Sequence, residues 1–144
     1  MSAFSWPARV YWEDTDGGAI VYYANYLRFL ERSRTEWLRA HGHSQQQLAR
    51  EPGILFAVVS LKVDYKAPAR LDDELHITCE PRAAGAASLR FAQRIYRESA
   101  AAARPGLVLE ADVRVACVDV HSLKPKRLPQ FLLEALNAPG AAHG

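Results

Sequence analysis

The sequence predicts an α+β fold in which one long helix covers a strongly curved, five-stranded antiparallel sheet. Three observations carry this expectation. Residues 24–40 place apolar side chains at helical spacing, residues 54–117 hold four strand-like runs in succession, and one more such run precedes the helix. Successive strands with no helix between them pair antiparallel, and a single helix is then left to cover the apolar face of the sheet.

The first strand is expected over Ala8–Asp14, ahead of a turn rich in acidic and small residues. The helix follows over Ala24–Ala40, with Tyr26, Leu27, Phe29, Leu30, Trp37 and Leu38 on one stripe at 100° per residue. Arg34 falls inside that stripe. Burying a guanidinium alone costs on the order of several kcal/mol, so Arg34 is expected to meet a carboxylate, a carbonyl or a ligand phosphate. Glu31, one turn earlier at the stripe's edge, is an available i to i+3 partner and a second candidate for a chemical role.

A short polar helix over Ser44–Arg50 stops before Pro52. Ile54–Tyr65 is apolar on both faces in its first half, as in a central strand covered on each side. Leu75, Ile77 and Cys79 then alternate with His76, Thr78 and Glu80, and Leu89, Phe91 and Ile95 with Arg90, Arg94 and Tyr96. Leu107, Leu109, Ala111, Val113, Val115 and Cys117 form one apolar face. Pro68, Pro105-Gly106 and Pro125 mark the connections.

The whole chain, 1–144, suits one domain with a single core, and 49% hydrophobic residues exclude disorder. A net charge of +2 without a basic, aromatic-interleaved run excludes a nucleic-acid signature. The beginning of the chain lacks a leader pattern and Ile54–Leu61 is too short to cross a bilayer, so a cytoplasmic location without a transmembrane segment is expected. Cys79 and Cys117 lie in apolar alternating runs and read as buried, reduced thiols.

Three acids, Glu13, Asp14 and Asp16, compete for chemistry at the turn. Strand alternation points Glu13 and Asp14 to opposite faces, whereas Asp16 lies where the chain turns. A carboxylate there, close to the free N–H groups of a helix start, is what acyl transfer requires. The histidines read as poor metal ligands: His41 and His43 flank Gly42 past the helix end, and His76, His121 and His143 show no Cys, Asp or Glu at ligand spacing on a common face. Neither a metal nor another cofactor is expected.

Several segments taken together carry a family resemblance: Glu13-Asp14-Thr15-Asp16, Asn25-Tyr26-Leu27, Glu31-Arg32-Ser33-Arg34-Thr35-Glu36, Tyr65-Lys66-Ala67-Pro68-Ala69-Arg70-Leu71-Asp72-Asp73 and Lys124-Pro125-Lys126-Arg127-Leu128-Pro129. Their order resembles the Tol-Pal-associated acyl-CoA thioesterases, within the 4-hydroxybenzoyl-CoA thioesterase branch of the hot-dog fold. The resemblance implies the helix as sausage and the sheet as bun, and an activity that splits acyl-CoA into free acid and coenzyme A.

It also implies site residues. Asp16 matches the family's catalytic aspartate, acting as general base or as nucleophile, and the Tyr23 N–H matches the oxyanion donor. A thiolate leaves without a general acid, so one carboxylate and an oxyanion hole suffice. In the loop Gly17-Gly18-Ala19-Ile20-Val21-Tyr22-Tyr23, Ala19 stands where the family pattern has glycine, and a positive φ there would strain it by about 1 kcal/mol. Tyr23 stands in place of histidine, as in the 4-hydroxybenzoyl enzymes, which brings aromatic acyl groups into the range of substrates.

Arg90 is the one cation where that branch carries a basic cluster for coenzyme A, with Lys66, Arg70, Lys124, Lys126 and Arg127 as alternatives. The family's groove lies between protomers, which implies a homodimer or homotetramer. A non-catalytic alternative is an adaptor in envelope maintenance that docks acyl carrier protein through Lys124–Arg127.

Overall fold

The computed structural model describes residues 4–98 and 106–137. The elements run β1 (Phe4–Arg9), two 3-10 turns (Trp12–Asp14 and Tyr23–Asn25), α1 (Tyr26–Ala40), α2 (Gln45–Arg50), β2 (Ile54–Tyr65), β3 (Glu74–Ala83), β4 (Ser88–Glu98), β5 (Gly106–Asp119) and α3 (Gln130–Asn137). The five strands form one sheet in the order β1-β3-β4-β5-β2, antiparallel at every pairing, with its two ends left open. This is the predicted α+β architecture, hot-dog in its strand order and single long helix. Ala100–Ala103 and Pro105 lie outside the described residues.

Helix α1 follows from its spacing. Tyr26, Phe29, Leu30, Ser33, Trp37 and Leu38 recur at three- and four-residue steps and are buried, against the inner-face residues Leu75, Ile77, Cys79, Phe91 and Ile95 of β3 and β4. Leu27, assigned to the same stripe, instead stands partly out in solvent. Phe91 meets Trp37 edge-on, with ring centroids 5.9 Å apart. The helix ends where Gly42 takes a φ of +89°, a left-handed conformation that costs glycine nothing, and where the Gly42 and His43 N–H groups close onto Arg39 and Leu38 carbonyls.

Arg34 finds its partner in Gln93, whose Oε1 accepts from the guanidinium at 3.0 Å. Burial pushes the Arg34 pKa down. The Gln93 amide donates in turn to the carbonyls of Leu30, at 3.0 Å, and Thr78, at 3.2 Å. One buried amide thus joins α1, β3 and β4. The pairing with Glu31 does not form, and Glu31 stays exposed. Cys79 and Cys117 are free and buried as expected, and burial pushes both thiols up, far up for Cys79.

Three expectations need correction. The first strand ends at Arg9, because Tyr11–Asp14 closes into a 3-10 turn with the Asp14 N–H on the Tyr11 carbonyl; Pro7 is tolerated in β1 because the strand lies at a sheet edge. Strand β2 is an edge strand rather than a central one. It pairs with β5 alone, and a bulge between Val58 and Ser60 leaves Val58, Val59 and Leu61 exposed, so its two apolar faces mark an uncovered surface. Finally, sequence reading assigned no element after Pro129, yet α3 forms there and buries Leu132 and Ala135, while Phe131 stacks on His43.

Replacing Gln93 with leucine leaves the half-buried Arg34 guanidinium without its acceptor and the Leu30 carbonyl without its donor. The expected loss is about 2–4 kcal/mol of unfolding free energy in urea titration. Leu27→Ala, on the solvent side of the same helix, is expected to change it by less than about 0.5–1 kcal/mol.

Candidate active site

The segment from Tyr11 to Tyr26 folds as a turn, a small hairpin and a helix start. Thr15 and Val21 pair across the hairpin, and inside it the Asp16 N–H donates to the Ile20 carbonyl at 3.0 Å. The hairpin is stitched to the Ala69–Arg70 segment by an Ile20–Arg70 bridge and by the Val21 N–H on the Ala69 carbonyl. Thr15 Oγ1 donates to the Trp12 carbonyl and accepts from the Gly18 N–H, as a threonine at the base of a turn does.

Two glycines allow this turn. Gly17 and Gly18 hold φ at +115° and +94°, and a Cβ on Gly18 would lie 2.2 Å from the Trp12 ring. Ala19 is not among the residues with positive φ, so the strain anticipated there does not arise. The left-handed turn falls on the glycines that remain.

Asp16 is exposed. Its Oδ1 accepts weakly from the Ile20 N–H at 3.5 Å, and it pairs with no cation among the described residues. One carboxylate oxygen is therefore left for water or substrate. Tyr23 opens the second 3-10 turn, which runs directly into α1, and its N–H meets no acceptor among the described residues. The adjacent Tyr23 carbonyl is held by the Tyr65 hydroxyl, which donates at 2.9 Å. The Tyr26 hydroxyl accepts from the Ala69 N–H at 3.0 Å, and the Tyr26 and Tyr65 rings lie 5.6 Å apart. Burial pushes both phenols up, so they stay neutral at ordinary pH.

Asp14 and Asn25 bind the segment together. Asp14 is buried: Oδ2 accepts from the Tyr11 N–H and Oδ1 from Asn25 Nδ2, each at 2.8 Å. Asn25 precedes α1 but makes no side-chain cap, because its amide is turned onto Asp14. The Asp14 carbonyl also accepts from the Tyr22 N–H at 3.0 Å. The signal available in sequence was an Asp-x-Asp pair, in which either acid suits a turn.

The remaining candidates are dispersed. Glu31 lies at the rim of a cavity of about 140 Å³ between α1 and the inner faces of β2, β4 and β5, with Arg34 and Gln45 as polar lining and Phe56, Phe91 and Leu132 among its apolar walls. Arg90 stands on the outer face of β4, paired with Asp112 at 3.2 Å. Lys126 is engaged by the Pro52 carbonyl and Asp119. Arg70, on the strand segment paired with the Asp16 hairpin, forms no ion pair among the described residues.

One expectation about histidine is overturned. Glu74, His76 and Glu98 bring ligand atoms within 4.8 Å of one another, because residues two apart on β3 share a face and Glu98 lies opposite Glu74 on β4. Pairwise contacts account for the group: His76 Nε2 is in hydrogen-bond contact with Glu98 at 3.3 Å, and Arg9 pairs with Glu74 at 3.5 Å. His41 packs on Trp37 and His43 on Phe131.

The family model of the thioesterase-like superfamily matches residues 10–136. The chain belongs to that superfamily, whose hot-dog fold it shares. Among relatives, it is 48% identical over 130 residues to the acyl-CoA thioester hydrolase YbgC of Escherichia coli O6:H1, covering 90% of this chain and 92% of that one. It is 42% identical to the acyl-CoA thioesterase YbgC of Haemophilus influenzae over 94% and 96% of the two chains. A solved probable thioesterase from Bartonella henselae superposes with a TM-score of 0.80 at 31% identity, over 89% of this chain and 100% of that one. A 4-hydroxybenzoyl CoA thioesterase variant complexed with 4-hydroxybenzoyl CoA reaches a TM-score of 0.84 at 22% identity, over 93% and 98%, a likeness of fold.

Gly18→Ala tests the turn. It is expected to lower stability by about 1–2 kcal/mol through its left-handed φ and to shift Trp fluorescence as the Trp12 ring is displaced. Gly17→Ala, with open space around its Cβ, should show the stability loss without the spectral change.

Proposed function

We propose that this chain hydrolyses acyl-CoA thioesters, with Asp16 as the working carboxylate and the Tyr23 N–H as oxyanion donor. The observation that carries the proposal is their placement on one continuous segment: an exposed carboxylate with an uncommitted oxygen, and an unbonded N–H where the chain enters α1. The similarity to the YbgC thioester hydrolases supplies the substrate class.

Negative charge that develops on the thioester oxygen is received by the Tyr23 N–H and by the partial positive charge of the helix start. In one route Asp16 takes a proton from water, the oxygen attacks the carbonyl carbon, and the carbon–sulfur bond breaks to release the thiolate. In the other, Asp16 attacks the carbonyl carbon itself, the carbon–sulfur bond breaks to release the thiolate and leave a mixed anhydride, and water then hydrolyses the anhydride. Glu31, at the mouth of the cavity, is assigned to the acyl group. Coenzyme A phosphates are assigned to Arg90 or Arg70; Asp112 already neutralises Arg90, which favours Arg70.

The same reading extends to a cytoplasmic homo-oligomer. The exposed apolar edge of β2 supports a second copy there, as a row of unpaired strand groups flanked by Val58, Val59 and Leu61 is a template for pairing. An acyl carrier protein partner, in Tol-Pal-linked envelope upkeep, is assigned to the exposed Lys124 and Arg127, since Lys126 is already tied down.

Asp16→Asn is expected to lower kcat about 100-fold or more on aliphatic and aromatic acyl-CoAs alike, with circular dichroism unchanged. Turnover equal to that of the unaltered protein would remove Asp16 from the chemistry. A single turnover in ¹⁸O-water tests the nucleophilic route: unlabelled acid with the label in Asp16 marks attack by the aspartate, whereas labelled acid leaves the base route or water attack at the acyl carbon of the anhydride, which hydroxylamine trapping of the anhydride tells apart. Val58→Glu with Leu61→Glu should yield monomers in sedimentation velocity, and retention of the oligomer would move the interface elsewhere.

A further inference from the structure

We infer that the buried Asp14–Asn25 hydrogen bond is a positioning clamp that sets Asp16 against the Tyr23 N–H. This rests on the catalytic reading above. Asp14 precedes Asp16 by two residues and Asn25 follows Tyr23 by two, so the bond ties together the two halves of the site. The Asp16 side chain is exposed and bonds only within its own hairpin; the Ala69–Arg70 segment braces the hairpin's second strand, and the Asp14–Asn25 bond is the side-chain link from the hairpin to the start of α1.

The chemistry at the clamp explains the residue types. Both Asp14 and Asn25 are nearly removed from solvent, at 7% and 8% exposure. Asp14 has no cationic partner among the described residues, and an uncompensated buried carboxylate is unfavourable unless hydrogen bonds satisfy it. Two donors do so, the Tyr11 N–H on one oxygen and Asn25 Nδ2 on the other, each at 2.8 Å. A carboxylate offers an acceptor to both donors at once. An asparagine at 14 would turn its NH₂ toward one of them, leaving two donors face to face.

The same asymmetry suggests a rescue. In the double variant Asp14→Asn with Asn25→Asp, the new amide oxygen accepts from the Tyr11 N–H and the new NH₂ donates to the carboxylate at 25. Both hydrogen bonds are restored with donor and acceptor exchanged across the Asn25 contact.

The test measures kcat and KM on one acyl-CoA for the unaltered protein, Asp16→Asn, Asp14→Asn, Asn25→Ala and the exchanged double variant, with thermal unfolding of each. Asp14→Asn and Asn25→Ala are expected to lower kcat about 10- to 100-fold while KM changes less than about threefold, since a displaced carboxylate slows chemistry more than binding. The exchanged pair is expected to return kcat to within about fivefold of the unaltered protein. Should Asp14→Asn not fold, Asn25→Ala and the exchanged pair still decide the matter. Full kcat in folded Asp14→Asn or Asn25→Ala overturns the clamp, as does an exchanged pair that recovers melting temperature without kcat. Full activity in Asp16→Asn overturns the catalytic reading instead, a result the clamp variants cannot produce.

Discussion

Everything in this molecule is placed by the burial of one helix face on one sheet face. Phe29, Leu30, Trp37 and Leu38 leave water against the inward residues of β3, β4 and β5, each contributing roughly 1.5–3 kcal/mol. Because β3, β4 and β5 alternate apolar and polar residues, a one-residue slip in pairing would turn the core side chains outward, so the same burial holds the sheet in register.

Polar groups inside this packing are few, and apart from the Trp37 indole N–H, which meets no acceptor among the described residues, they are committed. Gln93 satisfies Arg34 and two carbonyls at once, and Ser33 donates to the Ile77 carbonyl at 2.8 Å from the buried face of the helix. Such bonds contribute modestly to net stability, yet leaving any of them unmade is expensive. They therefore select the single rotation of α1 that satisfies all of them, and that rotation decides where the helix begins and which N–H groups it leaves open.

The candidate site is built at that beginning, and its parts come from local chain rather than from distant elements. Gly17 and Gly18 let the hairpin turn, Asp14 and Asn25 join it to the helix, and the Ala69–Arg70 segment braces its outer strand. Tyr65, from the edge strand β2, reaches the Tyr23 carbonyl, so the open edge of the sheet and the loop are mechanically connected. A copy of the chain seated on β2 would touch the same tyrosine's strand.

The fold class, α1, α2 and the inner faces of β3, β4 and β5 were legible in the sequence because periodicity reports which side of an element faces apolar surroundings. The turn at Asp16 and, to within two residues, the helix start were legible too, since Gly-Gly and the acids around it have strong local preferences. Tertiary structure decided what periodicity cannot encode. Ile54–Tyr65 reads as covered on both sides, but only strand order shows it at an edge with that surface unoccupied. Asp14 reads as the last residue of a strand, but its burial follows from Tyr11 and Asn25 arriving from either side, the latter eleven residues away. Likewise, β3–β4 register brings Glu98 beside Glu74 and His76 across more than twenty residues of chain. Local sequence states preferences over a few residues, whereas partners for buried polar groups are chosen by the packing of the whole chain.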